Sequence, residues 1–218
     1  MKKLLLTSSG LDNKKVNDEF LKLLPKQIRE IKVLLVFGVK TEEEMFYVRE
    51  SKEELVELGI LNENILEANI NNNLNLEKFR DYEIIYFCGG NTYYLLDRIR
   101  KTKFDKLIKE SVNEGKLYLG VSAGSIIAGE NIDIAGWGSE GDKNEVELKD
   151  LSGLEFTNIS IFPHYKDELK KEVEDFRKMV NSPVEGLHDG EAILIIGDKI
   201  KRLNKKWTPK HKHTQRNY

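Results

Sequence analysis

The residues with the clearest chemical potential are Gly120-Val121-Ser122-Ala123-Gly124, which close the apolar run Lys116–Val121 and open a helical stretch. A strand, then Gly-x-Ser-x-Gly, then a helix is the pattern of a nucleophile elbow. The turn is tight enough to force a strained backbone on its central residue. Gly120 and Gly124 remove side chains that would collide across it. The Ser122 hydroxyl then stands clear at the strand end, and the N–H of Ala123 points to where an oxyanion would form. A plainer alternative is a serine capping a helix beside incidental glycines. A second candidate segment is Cys88-Gly89-Gly90-Asn91-Thr92, at the end of the run Glu83–Cys88. Gly89 and Gly90 let a substrate approach the backbone closely. The N–H of Gly90 is the candidate second oxyanion donor. Asn91 is placed beside the substrate; alternatively the segment is a plain tight turn in which Asn91 or Thr92 caps a helix over Tyr93–Arg100, and the two readings are compatible. Cys88 reads as a buried strand residue.

A serine nucleophile needs a base, and the chain has four histidines. His211 and His213 fall in a basic C-terminal stretch. His164 follows the apolar run Ile159–Phe162, where Pro163 ends the strand, and is expected at the same sheet edge as Ser122. It is the expected base, with His188 in Gly186-Leu-His188-Asp189-Gly190 as the second candidate. A carboxylate should hold the imidazole in the right tautomer. Asp142, in the polar loop Gly141-Asp142-Lys143-Asn144, and Asp189, just before a strand, both qualify. Spacing does not choose between them, and either could be an ordinary turn aspartate.

The elements that must position these groups alternate. Lys3–Ser8, Lys32–Phe37, Glu83–Cys88, Lys116–Val121 and Ile159–Phe162 read as short apolar strands. Helices are expected at Lys14–Leu24, from Thr41 to about Leu58, and over Phe104–Val112, where apolar residues recur at helical spacing. A further helix carries Leu169, Val173, Phe176 and Val180. Thr41-Glu-Glu-Glu44 fits a capping box, and Gly59 and Gly115 fit helix stops. The Asn-rich segment Asn69–Asn75 reads as a loop. Ala192–Ile196 and Lys199–Leu203 flank Gly197-Asp198 as a β-hairpin. Continuous apolar strands separated by helices imply an α/β three-layer sandwich: a mainly parallel sheet flanked by helices, with an antiparallel C-terminal hairpin. Ligands in such sheets sit beyond the carboxyl ends of the strands.

At 218 residues a single domain is expected over 1–204, followed by a basic tail at 205–218. Residues 199–218 carry eight basic side chains and no acidic ones, so the rest of the chain is distinctly acidic. The tail lacks the basic-plus-aromatic interleaving of a single-strand binder, and no nucleic-acid partner is expected. One cysteine excludes an internal disulfide framework and a thiolate metal cluster. No apolar run is long enough to span a membrane. Leu4-Leu5-Leu6 is too short for a secretory apolar region, which needs roughly 7–15 residues, so a cytoplasmic protein is expected.

Together, Gly120-Val-Ser122-Ala-Gly124, Gly89-Gly90-Asn91-Thr92 and Pro163-His164 resemble the dipeptidase E family. These are serine peptidases related to cyanophycinase, on a fold shared with class I glutamine amidotransferases. The amidotransferases carry cysteine at the elbow, where this chain has Ser122. The resemblance runs from about Leu4 to Leu203. It implies hydrolysis of short peptides with an N-terminal aspartate, and no metal or organic cofactor. It implies Ser122 as nucleophile, His164 as base, and Gly90 and Ala123 as oxyanion donors. The family's acidic positions match Asp142, by its offset to the histidine, and Asp189. The stretch Asn131–Glu147 is expected to help line the pocket. Alternatives carried alongside are a serine amidase or esterase, a β-aspartyl (cyanophycin-like) hydrolase, and a non-catalytic binding module on the same scaffold.

Overall fold

The computed structural model describes residues 1–39, 41–42, 44–72 and 76–204. The expected basic tail lies outside the described residues, as do Asn73–Asn75. The expected three-layer α/β architecture is observed. Seven strands form one sheet in the order β3-β2-β4-β5-β1-β8-β9. They are β1 (Lys3–Thr7), β2 (Val33–Phe37), β3 (Ile65–Asn69), β4 (Ile84–Phe87), β5 (Leu117–Val121), β8 (Ala192–Ile196) and β9 (Lys199–Leu203). The first five run parallel; β8 pairs antiparallel with β1 and with β9. Gly197, at φ 58°, turns the closing hairpin.

The strand residues alternate between two cores, as a sheet covered on both faces requires. Leu4, Leu6, Val36, Ile85, Phe87 and Tyr118 face one side. They pack against α3 (Thr92–Lys101), α4 (Phe104–Asn113), the four-residue α5 (Ala123–Ile126) and α6 (Lys170–Met179). Leu5, Leu35, Phe37, Tyr86, Leu119 and Leu194 face the other side, against α1 (Lys14–Leu23) and α2 (Met45–Glu57). Among the described residues no helix is long and apolar enough to cross a membrane.

Local chemistry sets the element ends. Asn13 caps α1, accepting from the Lys15 N–H at 2.9 Å. The capping box before α2 forms reciprocally: Glu44 N–H donates to Thr41 Oγ1, and Thr41 N–H donates to Glu44 Oε2. Regular helix begins only at Met45. Gly59 ends that helix at φ 109°, a left-handed turn that side chains with a Cβ resist.

Three elements differ from the sequence reading. In the edge strand β3 only Ile65 and Ala68 are buried, one toward each core, while Glu67 is exposed and Asn69 half-buried, so its composition reads as loop. The three-residue β7 (Val184–Gly186) is too short to show a period. The third difference bears on the site. The run Ile159–Phe162 forms β6 (Ser160–Phe162), but β6 is not part of the main sheet. It pairs in parallel with β7 as a separate two-stranded sheet.

Candidate active site

Parallel strands bring their carboxyl ends to one edge. β1, β4 and β5 are in register there, with Thr7 opposite Val121 and Phe87 opposite Gly120. The next residues are Ser8 after β1, Cys88 to Asn91 after β4 and Ser122 after β5. β8 runs the opposite way and therefore enters the sheet at this edge, Ala192 lying opposite Thr7. That direction delivers the loop Leu187–Glu191, with Asp189, to the same place.

Ser122 adopts φ 49°, ψ −110°, a strained conformation for a residue with a Cβ. Contacts on every side hold it. A Cβ on Gly120 would lie 2.5 Å from the Gly124 carbonyl oxygen. A Cβ on Gly124 would lie 2.7 Å from the Phe87 carbonyl oxygen. Both glycines are therefore required by close backbone approach. Ser122 N–H donates to the Thr7 carbonyl at 3.1 Å. The Ser125 hydroxyl lies 2.8 Å from the Thr7 and Gly120 carbonyls, and the buried Tyr118 hydroxyl donates to the Gly124 carbonyl at 2.6 Å. Such strain persists only where the surroundings enforce it.

His164 Nε2 lies 3.1 Å from Ser122 Oγ, and His164 Nδ1 lies 2.7 Å from Asp189 Oδ1. A carboxylate only accepts, so Nδ1 carries the proton and Nε2 is free to accept from the serine. His164 was expected at the Ser122 edge as the end of a sheet strand. It arrives instead from the β6–β7 pair, tied by Leu187 N–H to the Phe162 carbonyl (2.8 Å) and Tyr165 N–H to the Leu187 carbonyl (2.9 Å). Its own backbone is strained, at φ 52°.

The two acids separate by geometry. Asp189 is bonded to the imidazole. Asp142 Oδ2 instead accepts from the Thr92 N–H at 2.8 Å, at the start of α3, and the Asp142 N–H donates to the Ala135 carbonyl at 2.7 Å. His188 stands apart from Ser122. Its ring packs edge-on against Tyr165 at 4.9 Å, and its N–H donates to Glu191 Oε2. Asn91 caps α3, accepting from the Tyr94 N–H and donating to the Lys143 carbonyl. Gly89 packs below the elbow: a Cβ there would lie 3.4 Å from the Ser122 Cβ. Gly90 takes φ 123°, and a Cβ on it would meet nothing within 4 Å, so this stretch of backbone faces open space. Cys88 is fully buried, and burial pushes its thiol up to about 12, against a weaker opposing bond from Ser51. That thiol stays neutral and serves as core.

A pocket of about 130 Å³ opens in front of Ser122. Gly90, Thr92 and His164 line it together with Trp137, Glu140 and Asp142 from the 131–147 stretch. α6 holds that wall in place: Trp137 Nε1–H donates to the Glu172 carbonyl, and the Glu172 carboxylate accepts from the N–H and hydroxyl of Ser139.

The sequence reading did not single out Ser8, Glu191 or Arg202. Ser8 Oγ donates to Asp189 Oδ1 at 2.9 Å and accepts from the His164 N–H at 2.8 Å. Glu191 is buried and bonded to Arg202, which also binds Glu185 and the Gly186 carbonyl. A small hydroxyl residue directly after β1, at the edge where ligands bind, was the available signal for Ser8.

The strand ends thus bring a serine, a histidine and an aspartate into one hydrogen-bonded chain on a three-layer α/β fold. The profile of peptidase family S51 matches residues 4–203, and the chain belongs to that family; it is a peptidase. An uncharacterized peptidase of Listeria monocytogenes, Lmo0363, is 34% identical over 94% of this chain and 100% of its own length. Peptidase E of Shewanella amazonensis is 31% identical over 70% of this chain and 68% of its own. A crystallised Listeria monocytogenes protein described as peptidase E superposes with a TM-score of 0.77 at 29% identity, covering 95% of this chain and 100% of the other. A peptidase from an acI-B1 Actinobacterium shares the fold, with a TM-score of 0.65 at 18% identity over 89% of this chain and 83% of its own.

Proposed function

We propose that the protein is a serine-type dipeptidase that hydrolyses short peptides through an acyl-enzyme on Ser122. The observation that supports this most is the continuous chain Ser122 Oγ, His164 Nε2, His164 Nδ1, Asp189 Oδ1, with links of 3.1 and 2.7 Å. In this reading the Ser122 oxygen attacks the scissile carbonyl carbon and its proton passes to His164 Nε2. Asp189 holds the Nδ1 proton and stabilises the imidazolium. The backbone N–H groups of Gly90 and Ala123 receive the oxyanion. The C–N bond breaks as His164 protonates the leaving amine. Water then attacks the ester, gives a proton to His164, and His164 returns one to Ser122.

The pocket supports short substrates. Its small volume suits one terminal residue, and the carboxylates of Asp142 and of Glu140, the latter paired with Lys166, would attract a free α-ammonium group. Preference for an N-terminal aspartate comes from the resemblance to dipeptidase E and from relatives named peptidase E. A cytoplasmic setting belongs to the same proposal.

The test is hydrolysis of a panel of N-terminal-aspartyl and other dipeptides and anilides by wild type and Ser122→Ala. Cleavage of aspartyl substrates by wild type alone supports the whole reading. Cleavage of other dipeptides only keeps the serine peptidase and removes the aspartyl preference. No cleavage by a folded wild-type protein favours a binding module.

A further inference from the structure

Asp189 and His164 are both largely exposed, with side-chain exposures of 61% and 47%. An exposed carboxylate bonded to an exposed ring by one contact should sample several orientations. Something must restrain the pair for it to act on Ser122. Ser8 does so from beneath, and it is completely buried.

The Ser8 hydroxyl makes two bonds of opposite sense. It donates to Asp189 Oδ1, the same oxygen that binds the imidazole, and it accepts from the His164 backbone N–H. One side chain therefore fixes the carboxylate and the main chain of the residue that the carboxylate orients. The second bond bears on the strained backbone of His164, at φ 52°. Strain of this kind costs about 1–3 kcal/mol and needs a local restraint.

Ser8 is itself held rigidly. Its N–H donates to the Glu191 carbonyl. The turn that follows is tied by Gly10 N–H to Thr7 Oγ1 and Leu11 N–H to Glu54 Oε2. Ser9 Oγ accepts from Gly190 N–H, so the turn after β1 also clamps the loop bearing Asp189.

We infer that Ser8 is a positioning residue of the catalytic machinery, setting the Asp189 carboxylate and the His164 backbone together for proton transfer with Ser122. This rests on the proposed serine mechanism. Ser8 touches no reacting atom; it acts through its two partners.

The experiment compares Ser8→Ala and Ser8→Thr with wild type and Ser122→Ala, in the full chain. Ser8→Ala should lower kcat about 10- to 100-fold with KM within about threefold, as expected when the reacting groups are misplaced by a fraction of an ångström. The downfield proton signal of His164 Nδ1–H should shift or broaden. Ser8→Thr keeps the hydroxyl and should recover part of the lost rate. A double-mutant comparison uses the rate of fluorophosphonate labelling. In an Asp189→Asn background, Ser8→Ala should add little, because both changes disable one unit.

Wild-type kcat in a folded Ser8→Ala protein overturns the inference, as does a full additive loss in the Asp189→Asn background. A fall in thermal stability with normal kcat in the folded fraction assigns Ser8 a structural role only, and also overturns it. Activity retained by Ser122→Ala would instead refute the mechanism on which the inference rests.

Discussion

Ser122 and His164 meet across 3.1 Å although they are carried by different sheets. Ser122 directly follows β5 of the seven-stranded sheet, and His164 follows β6 of the two-stranded β6–β7 unit. Neither strand pairs with the other, so the contact depends on the loops that lash the two units together.

The orienting acid should be Asp189. Asp189→Asn keeps the side-chain volume but favours the wrong imidazole tautomer. It should reduce kcat about 10³-fold or more with an unchanged fold. Asp142→Asn still offers an oxygen to the Thr92 N–H, and its rate of fluorophosphonate labelling should stay within about tenfold of wild type. Steady-state kinetics and labelling rates on both variants check this. The reverse order of effects would place the orienting role on Asp142.

The elbow glycines should tolerate no Cβ. Gly124→Ala would press a methyl to 2.7 Å from the Phe87 carbonyl oxygen, where α5 packs on the end of β4. A destabilisation of about 3 kcal/mol is expected, or roughly 6–12 °C in melting temperature for a domain of this size. Calorimetry on Gly124→Ala measures it. A shift below about 2 °C would mean that the elbow is looser than its contacts imply.

The buried Glu191–Arg202 pair should be needed for stability. The Glu191 side chain is 0% exposed, and its carboxylate lies 2.6 Å from Arg202 Nη2. Arg202→Met leaves that charge buried without its guanidinium, at an expected loss of about 3–5 kcal/mol. Adding Glu191→Leu removes the stranded charge and should recover part of the loss. Denaturant melts of the single and double variants decide it. A double variant no more stable than the single would locate the loss elsewhere.

Stability should fall as pH rises toward neutrality. Desolvation pushes the Glu54 carboxyl from 4.5 up to about 7; the Leu11 N–H opposes this, and Asp12, Glu50 and Glu57 add to it. Between those values the folded state holds a proton that the unfolded chain releases. Ionisation therefore removes stability progressively through this window, and the loss is complete above about pH 7. Glu54→Gln should be more stable than wild type at pH 8 by about 1 kcal/mol, after allowance for solvent screening of a half-buried group. It should show no such gain at pH 4.5. Thermal melts at the two pH values provide the check, and an equal difference at both would contradict the assignment.

The parts of the fold legible in the sequence were those with strong periodicity or obligatory turn chemistry. Apolar runs such as Val33–Phe37 are strands because both faces of the sheet are covered, and Gly59 and Gly115 end helices because only glycine takes their positive φ at little cost. β3 was hidden because this edge strand is short and broken by polar residues such as Glu67, with neither a continuous apolar run nor a clean alternation. The Ser122 elbow was legible because steric demand leaves few residue choices. His164 was legible from Pro163-His164, but its route was not, since pairing partners of a three-residue strand have no local signature. Which of Asp142 and Asp189 lies against the imidazole depended on β8 running antiparallel, a property of the sheet rather than of either aspartate. Ser8 looked like any residue of a Ser-Ser-Gly turn.

The most direct test of the central claim is intact-mass analysis after reaction with a fluorophosphonate, on wild type and Ser122→Ala, with peptide mapping of the adduct. The account predicts one adduct per wild-type chain, mapped to Ser122, and none on Ser122→Ala. An adduct at another residue, or no reaction by a folded wild-type protein, would contradict the assignment of Ser122 as nucleophile.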